Sequence, residues 1–392
     1  MIVRHFLQWI RTAGAAERAD AASALVGAFL HSNLSVDDRA AAEGAMLMLL
    51  DDPSPLVRRA LAEALASSED APPVLIHALA ADQPDIAAII YESSPCLAEA
   101  DLVDALGGGQ AAVQAAIARR ATLSRAVCAA IAEVGSAEAC LLLLENAGAV
   151  LLQFALDRIV ARHGHLAAIR ENLLERDDLP ATTRQALLTQ LSDTLARFVT
   201  GRAWLDADRA RSIAREARDK ATVTVAAMTA PGEMRLLVGR LRENGELTAG
   251  LILRALLSGN TMMFEDALAE LSGLPVSRIC ALVYARNGAG LRAVYDRAGL
   301  PPAVYPAFHA AIEAIREQGF VGDEAGNSRL RRRMVERVLV HCEQEMPGEV
   351  EPLLVLLRKF ATEAARDEAR TFCDDLVAED AISIDAEMRL VA

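Results

Sequence analysis

Apolar residues recur at helical spacing along almost the whole chain, and alternating runs of β-branched residues are nearly missing. This pattern constrains the fold most, because one segment cannot serve a period of 3.6 and a period of 2 at once. The only strand-like run is the short Thr222-Val223-Thr224-Val225. Residues 54–67 show the rule. Ser54 is a good N-cap, and Pro55 suits the first helical position, where no N–H bond is lost. Leu56, Val57, Ala60, Leu61, Ala64 and Leu65 then form one apolar stripe. Arg58, Arg59 and Glu63 are expected to face away, with Arg59 and Glu63 paired at i,i+4. Hydrophobic residues are 53% of the chain but aromatics only 4%. The core is therefore expected to be Ala, Leu, Val and Ile, and small Ala faces let helices approach closely.

The same layout returns about 30 residues later. Asp51-Asp52-Pro53 is echoed by Asp82-Gln83-Pro84, and Val57 by Ile86. A period of this length in a helical chain implies stacked helix pairs, in which each pair needs its neighbours to bury a face. Further hairpins are predicted over 101–106 with 110–119, and over 125–134 with 138–145. Gly107-Gly108-Gly109 and Gly135 mark their turns. The most apolar stretch, 139–156, holds Glu145, Asn146 and Gln153, so it reads as two core helices and a turn rather than a membrane span.

The regular pattern breaks between Asp177 and Gly201, where Asp177-Asp178-Leu179-Pro180 is a polar turn. A long polar helix, 207–220, follows Trp204. The expected division is a helical-repeat domain over 1–200, a less regular helical domain over 201–378, and a mobile acidic tail over 379–392. In the second part, Asn260-Thr261 is expected to cap a helix with Met263, Phe264, Ala267, Leu268 and Leu271 on its apolar face. Glu265, Asp266 and Glu270 are expected opposite, and Gly273 and Pro275 to stop it.

The formal net charge of -14 argues against duplex nucleic acid, whose phosphates demand a dense cationic surface. Six cysteines occur, at 96, 128, 140, 280, 342 and 373, with no C-x-x-C pair. They read as small buried residues of a reducing compartment. The start, MIVRHFLQWIRTAG, reads as an amphipathic helix rather than a signal peptide. Together these features predict a cytoplasmic protein.

Motifs for chemistry are scarce. His163-Gly-His165 is the one close His pair, and i,i+2 spacing does not place both on one helical face. Gly164 more simply ends a helix whose negative end His163 stabilises. Neither H-E-x-x-H nor G-x-S-x-G occurs, and Gly107-Gly108-Gly109 lacks the Lys-Ser or Lys-Thr of a P-loop. Asn146 reads as a structural spacer. No catalytic residue, cofactor or metal site is identified. The densest local charge is Arg329-Leu-Arg331-Arg332-Arg333, with Arg337 beyond, expected to open a helix. Cations there oppose the helix dipole, so a nearby carboxylate or an anion is expected as counter-charge. The acid-rich end of the chain is one source. These five arginines form a candidate interaction patch.

Two resemblances stand beside this reading. Asp51-Asp52-Pro-Ser-Pro-Leu-Val57-Arg58-Arg59-Ala60-Leu61 resembles the HEAT-repeat pattern of an acidic turn followed by Val-Arg and small apolar residues. Some HEAT-repeat oxygenases hold iron through His-Glu dipeptides, but no histidine here is followed by Glu. The segments SSPCLAEADLVDAL (93–106), AIARRATLSRAVCAAIAEVG (116–135), LLLENAGA (142–149) and LTAGLILRALLSGNTMMFEDALAELSGLP (247–275) are similar to the DUF2336 family of bacteria. That resemblance implies a helical-repeat architecture and a bacterial cytosolic setting, and carries over no catalytic residue.

The expectation is thus an all-α chain, a HEAT-like α-solenoid followed by a less regular helical domain. It would act as a non-enzymatic protein-interaction or regulatory scaffold, without nucleic acid or a membrane span. Self-association, for example through Trp9, stays open. The alternative is an enzyme with an unrecognised pocket, with DNA-repair chemistry disfavoured by the charge.

Overall fold

The computed structural model describes residues 9–10, 12–176, 178–285, 288–318, 324–345 and 351–391. Within them it describes the backbone, but not the side chains, of 318, 324–330, 345, 351, 352, 375 and 377–391. The expected amphipathic helix at the N-terminus therefore lies almost wholly outside the described residues. The described chain is all-helical, with a single isolated bridge between Leu123 and Ala149. It folds as two compact units, Met1–Leu179 and Pro180–Ala392. The division falls at the start of the 177–201 break, because the helix after Pro180 sends Ala181 into the core of the second unit.

The first unit contains α1 (Ala15–His31), α2 (Val36–Leu49), α3 (Pro55–Leu65), α4 (Pro73–Ala80), α5 (Pro84–Ser93) and α6 (Glu99–Gly107). It continues with α7 (Ala111–Ala118), α8 (Arg125–Val134), α9 (Ala137–Glu145), α10 (Gln153–His163) and α11 (Ala167–Leu174). Local chemistry sets the ends. Ser124 and Ser136 accept from Val127 N and Ala139 N at 3.3 and 3.1 Å, satisfying amides that a helix start leaves free. The helices form two layers. α1, α3, α5, α7, α9 and α11 pack in succession, and so do α6, α8 and α10. This is solenoid packing, with Leu61, Leu65, Leu75, Ile76, Leu79, Ile86 and Ile90 fully buried between neighbours. Each such side chain contributes about 1.5–3 kcal/mol.

Polar ties recur at nearly the repeat period. Arg18 grips Asp52 with two nitrogens at 2.8 Å, and Arg58 grips Asp82 at 2.6 and 3.1 Å. Arg58 also donates to Asp52 O at 2.7 Å, so it joins two hairpins instead of facing solvent. Arg59 likewise reaches across, to Asp85 at 3.9 Å. The Asp52–Asp82 echo is the acceptor side of this ladder, and the Arg18 guanidinium holds the Asp52 carboxyl below the usual carboxylate range. Later rungs close helix ends. Arg120 donates to Tyr91 O and Ser94 O at 2.7 and 2.8 Å, and Arg162 to Ala132 O and Gly135 O at 2.9 and 2.8 Å. Asn146 donates to Ala118 O and Arg120 O, both at 2.8 Å. Each tie satisfies carbonyls that a helix terminus leaves without partners. His163 does the same across the repeat, contacting Gly135 O at 3.4 Å, and burial holds its pKa down. Gly148 is required where two turns meet, since a Cβ there would lie 1.9 Å from Ala121 O.

The second unit contains α12 (Ala181–Gly201), α13 (Ala207–Ala227), α14 (Pro231–Glu243), α15 (Ala249–Leu257), α16 (Thr261–Ser272), α17 (Val276–Val283) and α18 (Ala289–Arg297). A short 3-10 turn (Pro302–Val304), α19 (Tyr305–Gln318), α20 (Glu324–Glu345) and α21 (Glu351–Val391) complete it. Its core is more aromatic. Phe264 stacks on Phe308 at 5.9 Å, and Tyr295 meets Phe308 and Tyr305 at 5.4 and 5.1 Å. The strand-like Thr222–Val225 run is helical in α13, where Thr222 Oγ1 donates to Arg218 O. Asp266 is buried rather than solvent-facing, and burial raises its pKa. Glu265 also packs inward, accepting from Tyr284 Oη at 2.8 Å and Cys280 Sγ at 3.1 Å. The 379–392 tail continues α21 as far as Val391, and its side chains lie outside the described residues.

Candidate functional site

Two features of the second unit are not explained by packing alone. The first is a cavity of about 520 Å³ between α13, α15, the start of α16, α20 and α21. Arg254 sits on its wall with only 8% of its surface exposed. The guanidinium ion-pairs with Glu363 and lies 4.2 Å from the ring centre of Phe360. Lys220 pairs with Asp367 at 3.0 Å on the same wall. Asn260 starts α16, its Oδ1 accepting from Met263 N at 3.0 Å. That bond leaves the Asn260 amide nitrogen free.

Asn260 Nδ2 and Arg331 Nε are buried and have no hydrogen-bond partner among the described residues. Both belong to residues lining this cavity, and both are donors. Behind the wall, Asp219 is pushed up to about 6 by burial, although Arg218, Arg254 and Arg215 pull it down. Arg218 pairs with Glu246 at 3.2 Å. Glu246 also accepts from Gln185 and Thr189, both at 3.3 Å, which ties the root of α12 to α13 and α14.

The second feature is the α12–α13 hairpin. Between Leu188 and Ala221 only Ala210 is buried. Leu188, Leu191, Leu195 and Phe198 follow a 3-4-3 spacing on one face of α12, the spacing of a helix-packing seam. Leu195 and Phe198 are about half exposed, as is Ile213 on α13. At the tip Trp204 stands edge-on to Phe198 at 5.7 Å and is 67% exposed. Trp204 N donates to Val199 O and Ala203 N to Thr200 O, a Schellman closure. It places Ala203 at φ 55°, the one positive φ outside glycine among the described residues.

The predicted arginine patch divides. Arg331 is half-buried and lines the cavity. Arg332 pairs with Glu336 at 2.7 Å and Glu368 at 3.0 Å, and Arg337 pairs with Glu317. Glu368 belongs to the acid-rich end that the sequence offered as counter-charge. Arg333 is exposed, and the side chain of Arg329 lies outside the described residues. α20 begins at Glu324, so the patch sits within the helix rather than at its start. Asn146 is structural, as its capping bonds show. No group of three or more His, Cys, Asp or Glu is placed to hold a metal among the described residues. None of the six cysteines is in a disulfide. Cys128, Cys140 and Cys342 are buried, but Cys373 is exposed. No helix of the described chain is long and apolar enough to cross a membrane.

Sequence reasoning missed the cavity. Its one legible signal was Arg254, a lone charge inside the apolar run Leu251-Ile252-Leu253-Arg254-Ala255-Leu256-Leu257.

This geometry is that of an all-helical protein of stacked hairpins with a polar cavity in its second unit. Residues 86–348 match the family model described as an uncharacterised protein conserved in bacteria (DUF2336), and the chain belongs to that family. No curated protein and no solved structure matches it.

Proposed function

We propose that this is a non-enzymatic interaction scaffold of the bacterial cytoplasm. Its HEAT-like first unit is the frame, and its α12–α13 hairpin offers a helix face to a partner protein. The observation that carries this reading is the exposed apolar set Leu195, Phe198, Trp204 and Ile213, with Leu188 and Leu191 half-buried in line with it on α12. Contiguous exposed apolar surface is costly in water and marks contact sites. Its spacing suits an amphipathic helix of the partner, packed at a shallow angle. A protein fits better than nucleic acid, given the net charge of -14. The exposed arginines beside the acid-rich helix, Arg333 above all, would add charge complementarity for an acidic partner segment.

The test compares purification of the native chain with that of L195E/F198E, using V36E as control. Val36 is exposed but lies in the first unit. A stoichiometric protein that copurifies with the native chain and V36E, and is lost from L195E/F198E at unchanged thermal stability, is expected. A partner retained by the double variant would overturn the reading. The alternative, an enzyme with an unrecognised pocket, draws on the cavity and its buried Arg254–Glu363 pair.

A further inference from the structure

The cavity poses a separate chemical question from the hairpin. Its charged lining residues are Lys220, Arg254, Arg331, Glu363 and Asp367. Lys220 is paired with Asp367 and Arg254 with Glu363. Arg331 is then the cation of the lining with no carboxylate partner among the described residues. Its Nε and Asn260 Nδ2 are the buried side-chain nitrogens without partners among the described residues. Both residues line the cavity, and each keeps side-chain donor capacity that no described group takes up. The start of α16, at Asn260, Thr261 and Met262, opens on the same space and adds the positive end of a twelve-residue helix. Apolar surface from Val223, Leu257 and Phe360 completes the lining. A volume of about 520 Å³ falls within the range of small-molecule sites.

We propose that this cavity binds a small molecule through an oxyanion group, phosphoryl or carboxylate. The Arg331 guanidinium and the start of α16 face its oxygens, and Phe360 with its apolar neighbours holds the body. Arg254 and Lys220 stay in their ion pairs, so Arg331 gives the lining its net positive charge. The fit requires no covalent step. It is independent of the scaffold reading, so failure of either leaves the other standing.

The experiment is a titration of the full chain with phenyl phosphate, inorganic phosphate and sodium benzoate, each against potassium chloride at matched ionic strength. Thermal stability and, for the two phosphates, phosphorus NMR linewidth are read. Saturable binding of at least one of the three is expected, with phenyl phosphate or benzoate dominant according to whether phosphoryl or carboxylate is preferred. R331M should weaken that binding at least tenfold, while R333M, an exposed neighbour on the same helix, should leave it within twofold. If R331M does not fold, K220M removes another cation of the wall and should lower affinity in the same sense. A response that follows ionic strength alone, or equal affinity in the native chain and the cavity variant, would overturn the proposal.

Discussion

The two units solve the same problem with different chemistry. In the first, a polar side chain of one hairpin reaches the turn or helix end of another, as Arg58 does to Asp82 and Arg162 to Ala132 and Gly135. Buried polar groups there meet named partners, although single large apolar residues such as Val36, Met48, Val74 and Phe154 are exposed there too. The second unit packs aromatic rings around Phe264 and Phe308. Among its described residues it also holds two unpartnered buried nitrogens, a raised carboxyl at Asp219, and the half-exposed Leu195, Phe198 and Ile213 of the hairpin. Regularity marks the part that bears structure. The departures gather where binding is proposed.

Truncating the aromatic core should separate the units most strongly. Phe264→Ala should cost about 3–5 kcal/mol, read as a fall in the denaturation midpoint of the second unit while α1 to α11 keep their hydrogen-exchange protection. A concerted loss of protection in both would show that the units do not fold separately. Gly148→Ala should do the reverse. Its Cβ would fall 1.9 Å from Ala121 O, and the forced shift should cost the first unit about 2–4 kcal/mol by chemical denaturation.

The repeat ladder shows how much the sequence made legible. The Asp52 and Asp82 turns stood out because they recur, and the hairpin limits around α8 and α9 agreed closely with the structure. Their partners did not stand out. Arg18 and Arg58 lie 34 and 24 residues from the carboxylates they grip, a distance that i,i+4 reasoning does not reach. Asp266 was placed on the solvent face by helical period alone, yet α16 is surrounded by α14, α15, α17 and α18. The cavity is assembled from residues 220 to 367, so only the isolated charge of Arg254 could have announced it. The seam on α12 was present in the spacing, but a seam reads the same whether its partner is inside or outside the chain.

Smaller effects sharpen the contrast. Arg58→Met should destabilise the first unit by about 1–2 kcal/mol, since a half-buried Asp82 loses its partner. Asp219→Asn should act the other way. The carboxyl binds its proton more tightly in the folded chain, at about 6, than in an unfolded one, near 4. Its contribution is therefore most favourable below about pH 4 and is lost as pH rises through 6. The variant should gain about 1 kcal/mol at pH 7, allowing for its partial exposure, and nothing at pH 4. Equal gains at both pH values would assign the effect to packing.

The central claim, that the hairpin rather than the repeat stack meets a partner, is tested most directly by photo-crosslinking in cells. A photoreactive residue would replace, one at a time, Leu191, Leu195, Phe198 and Ile213 on the hairpin, and Val36, Met48, Leu56 and Val74 on the first unit. The account predicts one protein adduct concentrated at the four hairpin positions, several-fold above the others. Adducts spread evenly over both sets, or concentrated on the first unit, would contradict it.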